Sequence, residues 1–281
     1  MRVKITADST CDLPVDIIEK YNIGIAPLYI IMGEKKYKDG FEIGANDIFE
    51  YVDSGKGITG TDAINISEYT DYFSQWKKEC DAIIHISLST HFSACHQSAK
   101  IAAEGFENVF VVDSFNLSTG SGHIVLNAAI MAESGMEPED IVRSLIELIP
   151  KVEASFVIGD LKLLHLGGKC SGLQVFGSNI LKLNHCIDVK DGKMSVEKKF
   201  RGAFDKIASK YVEDRLSGRD DIDLSRVFIT YPPTMSKEFV DMVAAKVRSL
   251  QNFEEVICCN AGCVVSNHCG SVCFGILFLR K

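Results

Sequence analysis

Along the first 150 residues, short apolar runs of strand length alternate with stretches whose apolar positions recur at helical spacing. Arg2 to Ala7 reads as a strand that stops at the polar loop Asp8-Ser9-Thr10. Asp12 then stands as the cap, and Pro14 in the first turn, of a helix to about Lys20. Ile23 to Met32 predicts a second strand, followed by Lys35 to Lys38 and a Lys38-Asp39-Gly40 turn. A short helix opens at Asn46-Asp47 and ends near Gly55, and Gly57 to Asp62 is too rich in glycine and hydroxyls for a regular element. Ser67 begins an amphipathic helix through Lys78, Ile83 to Ile86 has the β-branched content of a buried strand, and Ser98 to Glu104 is helical up to Gly105. Val109 to Val112 is another strand, ending at Asp113-Ser114. Helices follow over Ile124 to Ser134 and from Pro138 to about Pro150.

This alternation argues an α/β fold, with a mainly parallel, doubly wound sheet in the N-terminal part. The loops Asp8–Thr10, Ser87–Ser93 and Asp113–Ser114 should then converge on one edge, where such sheets bind ligands. Beyond Pro150 the pattern changes. A strand over Ser155–Gly159 precedes a short helix around Leu161 and Leu164, the sequence Gly167-Gly168-Lys169, and an apolar run from Leu173 to Leu183. Ile187–Val189 and Met194–Val196 form a hairpin about Asp191-Gly192. Phe200–Arg215 and Ser236–Leu250 read as helices, Val227–Tyr231, Glu255–Cys259 and Cys273–Leu279 as strands, and Gly262 to Gly270 as a turn. Hairpins mixed with helices predict a second α/β domain with a mixed sheet. A chain of 281 residues is long for one core, and the expected division is 1–153 and 154–281.

Composition narrows the function classes. A net charge of −8, with no Lys/Arg block longer than a pair, argues against nucleic acid and anionic membrane surfaces as partners. No apolar run approaches the roughly 20 residues of a transmembrane helix, and the N-terminus lacks a signal-peptide core, so the expected location is cytoplasmic. The ten cysteines then read as free thiols in the core. Cys258, Cys259, Cys263, Cys269 and Cys273, with His268, lack the paired knuckles of a structural metal site, and no metal is expected. Gly120-x-Gly122 lacks the rest of a dinucleotide fingerprint and predicts close packing of a helix start instead.

What remains is a set of polar loops. Ser87, Ser89, Thr90 and Ser93 line a turn at a helix N-terminus, where free N–H groups and the helix dipole favour an anion. Asp8-Ser9-Thr10, Thr59-Gly60-Thr61 and Asn267-His268 accompany it. Together with Asp12-Leu13, Ile25-Ala26-Pro27-Leu28, Ser93-Ala94-Cys95-His96-Gln97-Ser98-Ala99, Asp113-Ser114, Leu161-x-x-Leu164-x-x-Gly167-Gly168-Lys169, Asp191-Gly192-Lys193 and His268-x-Gly270, these resemble the DegV family of bacterial fatty-acid-binding proteins over essentially the whole chain.

The resemblance implies a protein that holds one long-chain fatty acid in a cleft between two α/β domains. It also implies presentation of that acid to a separate ATP-dependent kinase, a fatty acid kinase subunit, which makes the acyl phosphate. It implies no cofactor, no catalytic residue and no turnover by the chain itself. Thr61 and Ser93 match the hydroxyls that hold the carboxylate, and His268 a histidine beside it; Ser9, Thr10, Ala94, Cys95 and Gly270 complete the expected ligand-binding set. The chain differs from the usual family pattern at Asp62-Ala63-Ile64, at Ala94-Cys95 and at Lys169. The alternative is a Ser/His hydrolase acting on a small ester or carboxylate through Ser93 or Ser121, although a Gly-x-Ser-x-Gly elbow is absent.

Overall fold

In the computed structural model, which describes residues 1–166 and 183–281, helices pack around and between three β-sheets. β1 (Val3–Asp8) runs into a 3-10 turn, Ser9–Cys11, followed by α1 (Val15–Lys20) and β2 (Gly24–Ala26). Next come β3 (Tyr29–Met32), β4 (Lys35–Lys38), α2 (Ala45–Asp53) and β5 (Gly60–Asp62), whose strands form a small antiparallel sheet in the order β4-β3-β5. α3 (Ile66–Trp76), β6 (Ala82–Ser87), α4 (Cys95–Ala103) and β7 (Val109–Asp113) complete a four-stranded parallel sheet in the order β2-β1-β6-β7. The chain leaves β1 for β2 on one side and resumes at β6 on the other. The C-terminal ends of β1 and β6 therefore flank a topological switch point, the place where such sheets open a crevice.

Two long helices follow, α5 (Ser118–Glu133) and α6 (Pro138–Leu148). The remaining elements are β8 (Val152–Ile158), α7 (Lys162–Leu166), β9 (Leu183–Lys190), β10 (Lys193–Arg201), α8 (Phe204–Leu216), β11 (Ile222–Tyr231), α9 (Lys237–Leu250), β12 (Glu255–Asn260), α10 (Cys263–Cys269) and β13 (Cys273–Arg280). Their strands make a six-stranded mixed sheet, β10-β9-β8-β13-β11-β12, in which only β11 and β12 are parallel neighbours. The fold is thus mixed α/β, with a parallel sheet in the N-terminal part and a mixed sheet in the C-terminal part.

α5 lies between the two larger sheets, packing on β1 and β6 of one and on β8, β11 and β13 of the other. Residues Ser118 to Leu126 are all buried, so this half of the helix has no solvent face. Small residues make that placement possible. A Cβ on Gly122 would come 2.8 Å from the Cys11 carbonyl oxygen and 3.0 Å from Leu13, the close packing its sequence predicts. One apolar core spans both sheets, joining Ile5, Ile84 and Ile124 to Ala154, Phe228 and Leu277. A second lies under α8 and α9, around Tyr211, Phe239, Phe274 and Phe278.

Several expectations are corrected. Asp12 does not cap α1; it sits at φ +49° after the 3-10 turn, and Pro14 precedes the helix. The stretch from Ile23 to Met32 is two strands in different sheets, because Pro27 interrupts the ladder. The glycine-rich loop contains a strand, β5, paired with β3. α5 starts at Ser118, six residues before the helix its apolar pattern predicts, since burial on all sides replaces amphipathic spacing. Phe200 and Arg201 end β10, and α8 begins only at Phe204. Gly262 to Gly270 is not a turn: it contains α10. Gly167-Gly168-Lys169 and the apolar run over 173–182 lie outside the described residues.

Candidate ligand-binding site

At the switch point, the buried Asp8 ends β1 and joins three neighbours. Its Oδ1 accepts from the Tyr69 hydroxyl at 2.5 Å and lies 3.2 Å from His85 Nε2, while Oδ2 accepts from the Leu88 amide at 2.8 Å. The second ring nitrogen of His85 is 3.0 Å from Thr6 Oγ1. A carboxylate that gathers donors from β6, α3 and the loop after β6 fixes the two strand ends relative to each other. The loop after β6 is also tied to the six-stranded sheet, because Ser89 Oγ donates to the carbonyl of Gly192 in the β9–β10 turn at 3.1 Å. Ser93 thereby stands at the start of α4, its Oγ accepting from the Cys95 amide at 3.2 Å.

Opposite it, the pairing of β5 with β3 sets Thr61 across from Ile30. The Thr61 hydroxyl is 3.2 Å from Nε2 of His268 on α10, and Thr59 Oγ1 donates to Asn267 Oδ1 one residue earlier on that helix. The small sheet and α10 are thus joined along the rim of a cavity of about 180 Å³.

Thr10, Thr61, Ser93, Ala94 and His268 line this cavity together, between apolar walls that include Leu28, Leu88, Phe92, Leu117, Val264 and Met194. No lysine or arginine lines it among the described residues. Asp62, the one carboxylate lining it among the described residues, pairs with Lys36 at 3.0 Å. The Thr10 hydroxyl is distinctive: Thr10 is 1% exposed, and its Oγ1 has no hydrogen-bond partner among the described residues. A buried hydroxyl without a partner costs free energy, and groups of this kind mark places where a partner is missing. A smaller cavity of about 30 Å³ shares Leu117, Val265 and Cys269 with the first and continues along Phe156, Gly275 and Leu277 of the six-stranded sheet.

Three of the expected residues lie outside the lining. Ser9 donates to Asp39 Oδ2 at 2.7 Å and accepts from the Leu28 amide at 3.1 Å, so it braces the wall. Cys95 is fully buried behind Ser93, and burial pushes its thiol up to about 12. Gly270 ends α10 at φ +76°. Phe92, Met194 and Leu28 were not legible as lining residues, because nothing local distinguishes them from core.

The hydrolase candidates are placed differently. Ser121 is 2.8 Å from Ser114 Oγ, and neither Ser121 nor Ser93 has a histidine within hydrogen-bond distance among the described residues. Buried His123 reaches the Leu277 carbonyl at 3.0 Å, and burial lowers its pKa to about 4. Among the described residues, no group of three or more His, Cys, Asp or Glu side chains could hold a metal ion, nine cysteines are free thiols, and no helix is long and apolar enough to cross a membrane. A wider groove of about 990 Å³ runs beside β7, α6 and β9, rimmed by Lys100, Asp113, Lys190 and Arg280. Charges of both signs alternate around it, and it lacks the converging hydroxyls of the smaller cavity.

A family model described as "Uncharacterised protein, DegV family" matches residues 2–281. A DegV domain-containing protein of Caldanaerobacter subterraneus subsp. tengcongensis is 32% identical over 100% of this chain and 99% of its own length. One from Clostridium acetobutylicum is 31% identical over the same shares. Among solved structures, a DegV family protein from Thermus thermophilus, described by its fatty acid binding, superposes with a TM-score of 0.89 at 27% identity, covering 100% of both chains. DegV of Bacillus subtilis, described as a fatty acid binding protein, gives 0.84 at 25% identity, again over 100% of both. With a family match over nearly its full length and relatives above 30% identity end to end, this chain belongs to the DegV family.

Proposed function

We propose that this protein binds one long-chain fatty acid, with the carboxylate at Thr10, Thr61, Ser93 and His268 and the tail running past Leu117, Val265 and Cys269 toward the six-stranded sheet. The observation that carries this reading is the convergence of Thr10, Thr61, Ser93 and His268 on one apolar-walled cavity, with the buried Thr10 hydroxyl unpartnered among the described residues. The fatty acids named for the Thermus thermophilus and Bacillus subtilis relatives support it.

The energetics are favourable. At about 0.8 kcal/mol per buried methylene, a tail of roughly 16 carbons contributes on the order of 10 kcal/mol before association costs, leaving micromolar or tighter affinity. The headgroup must not stay unpaired, since an isolated buried carboxylate would cancel that gain. Neutral hydroxyl donors, with the imidazole, supply its hydrogen bonds, and no lysine or arginine lines the cavity among the described residues.

We place the site between two domains divided near residue 153, and the protein in the cytoplasm, where free thiols persist. The chain has no turnover of its own in this reading. It presents the bound acid to a separate ATP-dependent kinase, whose transfer of the γ-phosphoryl group to the carboxylate yields acyl phosphate and ADP. The sequence resemblance supports that last step.

Denaturing the purified protein and analysing the extract by mass spectrometry tests the binding. A stoichiometric long-chain fatty acid is expected; recovery of none, with no uptake of added palmitate, overturns the reading. The kinase step is tested by trapping acyl phosphate as a hydroxamate when the loaded protein meets ATP and a candidate kinase subunit.

A further inference from the structure

The helix that carries His268 is short, and its sequence, Cys-Val-Val-Ser-Asn-His-Cys, is rich in β-branched and weak helix-forming residues. Its first N–H groups are not satisfied from within the helix or from its own side of the molecule. The amide of Gly262, the residue before α10, donates to Asp12 Oδ1 at 2.9 Å, and the next amide, Cys263, donates to Asp39 Oδ1 at 2.9 Å. Both carboxylates come from the N-terminal part of the chain, across 250 and 224 positions. Their other oxygens are occupied as well: Asp12 Oδ2 accepts from Ser118 Oγ at 2.6 Å, and Asp39 Oδ2 from Ser9 Oγ at 2.7 Å. Asp12 is 6% exposed and Asp39 2%, and neither forms an ion pair among the described residues.

Two carboxyl groups buried side by side with no cation among the described residues form a costly arrangement unless each oxygen is hydrogen-bonded, as here. The arrangement is specific to this helix start. A Cβ on Gly262 would come 2.9 Å from Asp12 Oδ1, so a larger residue would push that carboxylate off the turn, while Asp39 Oδ1, at 3.6 Å, would stay in ordinary contact. What they hold is the element that supplies the cavity with Val264, Val265, His268 and Cys269. The same linkage continues to the opposite wall, since Ser9, held by Asp39, accepts from the amide of Leu28.

We infer that Asp12 and Asp39 are positioning residues that hold α10 from the other side of the cleft and so set where His268 meets the ligand's polar end, which makes them determinants of discrimination between a fatty acid and an uncharged lipid of equal length. This rests on the fatty-acid reading above. Neither residue lines the cavity, so neither touches the ligand; the effect passes through the backbone of Gly262 and Cys263.

The test compares Asp12→Ala, Asp12→Asn, Asp39→Ala, Asp39→Asn and Gly262→Ala with the wild type. One readout is amide hydrogen exchange at Gly262 and Cys263 in the ligand-free protein. The other is the affinity for palmitic acid and for hexadecanol, by displacement of a fluorescent fatty acid. In the alanine variants exchange is expected to rise at least tenfold at the released amide, and preference for the acid over the alcohol to fall about tenfold. Alcohol affinity should stay within about twofold. Asparagine keeps an acceptor oxygen and should restore most of both. Equal loss for acid and alcohol, unchanged exchange, or asparagine variants no better than alanine would each overturn the positioning role. Wild-type protein that binds neither lipid overturns the fatty-acid reading and the headgroup role with it, while exchange still decides whether the carboxylates hold the helix.

Discussion

The Thr61 hydroxyl lies 3.2 Å from Nε2 of His268, although 207 positions separate them. This contact joins the small sheet to α10 at the cavity mouth and places two polar groups where one carboxylate can engage both. Hydrogen bonds to a charged group contribute about 1.5–3 kcal/mol, so Thr61→Val and His268→Ala should each weaken palmitate binding by roughly tenfold to a hundredfold. Because the two groups touch, the double variant should lose less than the product of the single losses. Displacement titration measures this, and unchanged affinity would remove the headgroup from this end of the cavity.

Thr10→Val should act in opposite directions on the empty and loaded protein. Valine matches threonine in shape and removes a buried hydroxyl that has no partner among the described residues. The empty protein should gain about 1 kcal/mol or more, read as a higher melting temperature. Fatty-acid affinity should fall, so that added palmitate raises the melting temperature of the variant less than that of the wild type.

Leu117 lines both the larger and the smaller cavity, at the point where a tail passes from one to the other. Enlarging it by Leu117→Trp should shorten the usable slot. Each methylene left outside costs about 0.8 kcal/mol, so palmitate should lose more than about tenfold while octanoate changes by less than about threefold. Equal losses for the two acids would show that the tail takes another course.

Asp12 titrates near neutrality: burial raises its carboxyl from 3.8 to about 7, against the lowering effect of the bonds from Ser118 and Gly262. A pKa higher in the folded than in the unfolded state means that the native protein takes up a proton. The resulting stabilisation is complete below about pH 4 and is lost as pH rises through about 7. Asp12→Asn mimics the protonated form at every pH. Its urea midpoint should therefore gain on the wild type between pH 5 and pH 8.5, by at least about 1 kcal/mol in stability. A constant difference across that range would place the titration elsewhere. The thiols that face Asp12 do not titrate in this window: Cys11 is pushed up to about 12 by burial, and Cys259, Cys263 and Cys273 are raised as well.

Much of the architecture is written in local pattern. β1, β6 and β7 are apolar runs of strand length ending in polar residues, and the helices between them carry ordinary stop signals. The polar loops that meet at the switch point follow from that alternation alone. What local pattern does not carry is structure imposed from far away. α10 contains β-branched residues between two glycines and reads as a turn; its start is braced from far along the chain, where Asp39 accepts from its first amide and Asp12 from the amide before it. β5 reads as a loop and becomes a strand only by pairing with β3. The same cause hides part of the site: Leu28, Phe92 and Met194 have nothing local to mark them, and only the tertiary fold turns them toward one cavity. Thr10 and Ser9 are adjacent in one motif yet part ways, Thr10 belonging to the cavity wall and Ser9 tied to Asp39.

The helix α5 is wedged among strands of both large sheets, with no watered side from Ser118 to Leu126. After a cut near residue 153 the N-terminal fragment would keep it and present a raw greasy flank, and the C-terminal fragment would be left with an unfilled trough. Expressed apart, the two pieces should clump or stay unfolded, and mixing them should restore soluble protein. The intact chain should melt in a single step, so any opening that admits a lipid must come from the rim, at α10 and the small sheet, with this shared filling left undisturbed.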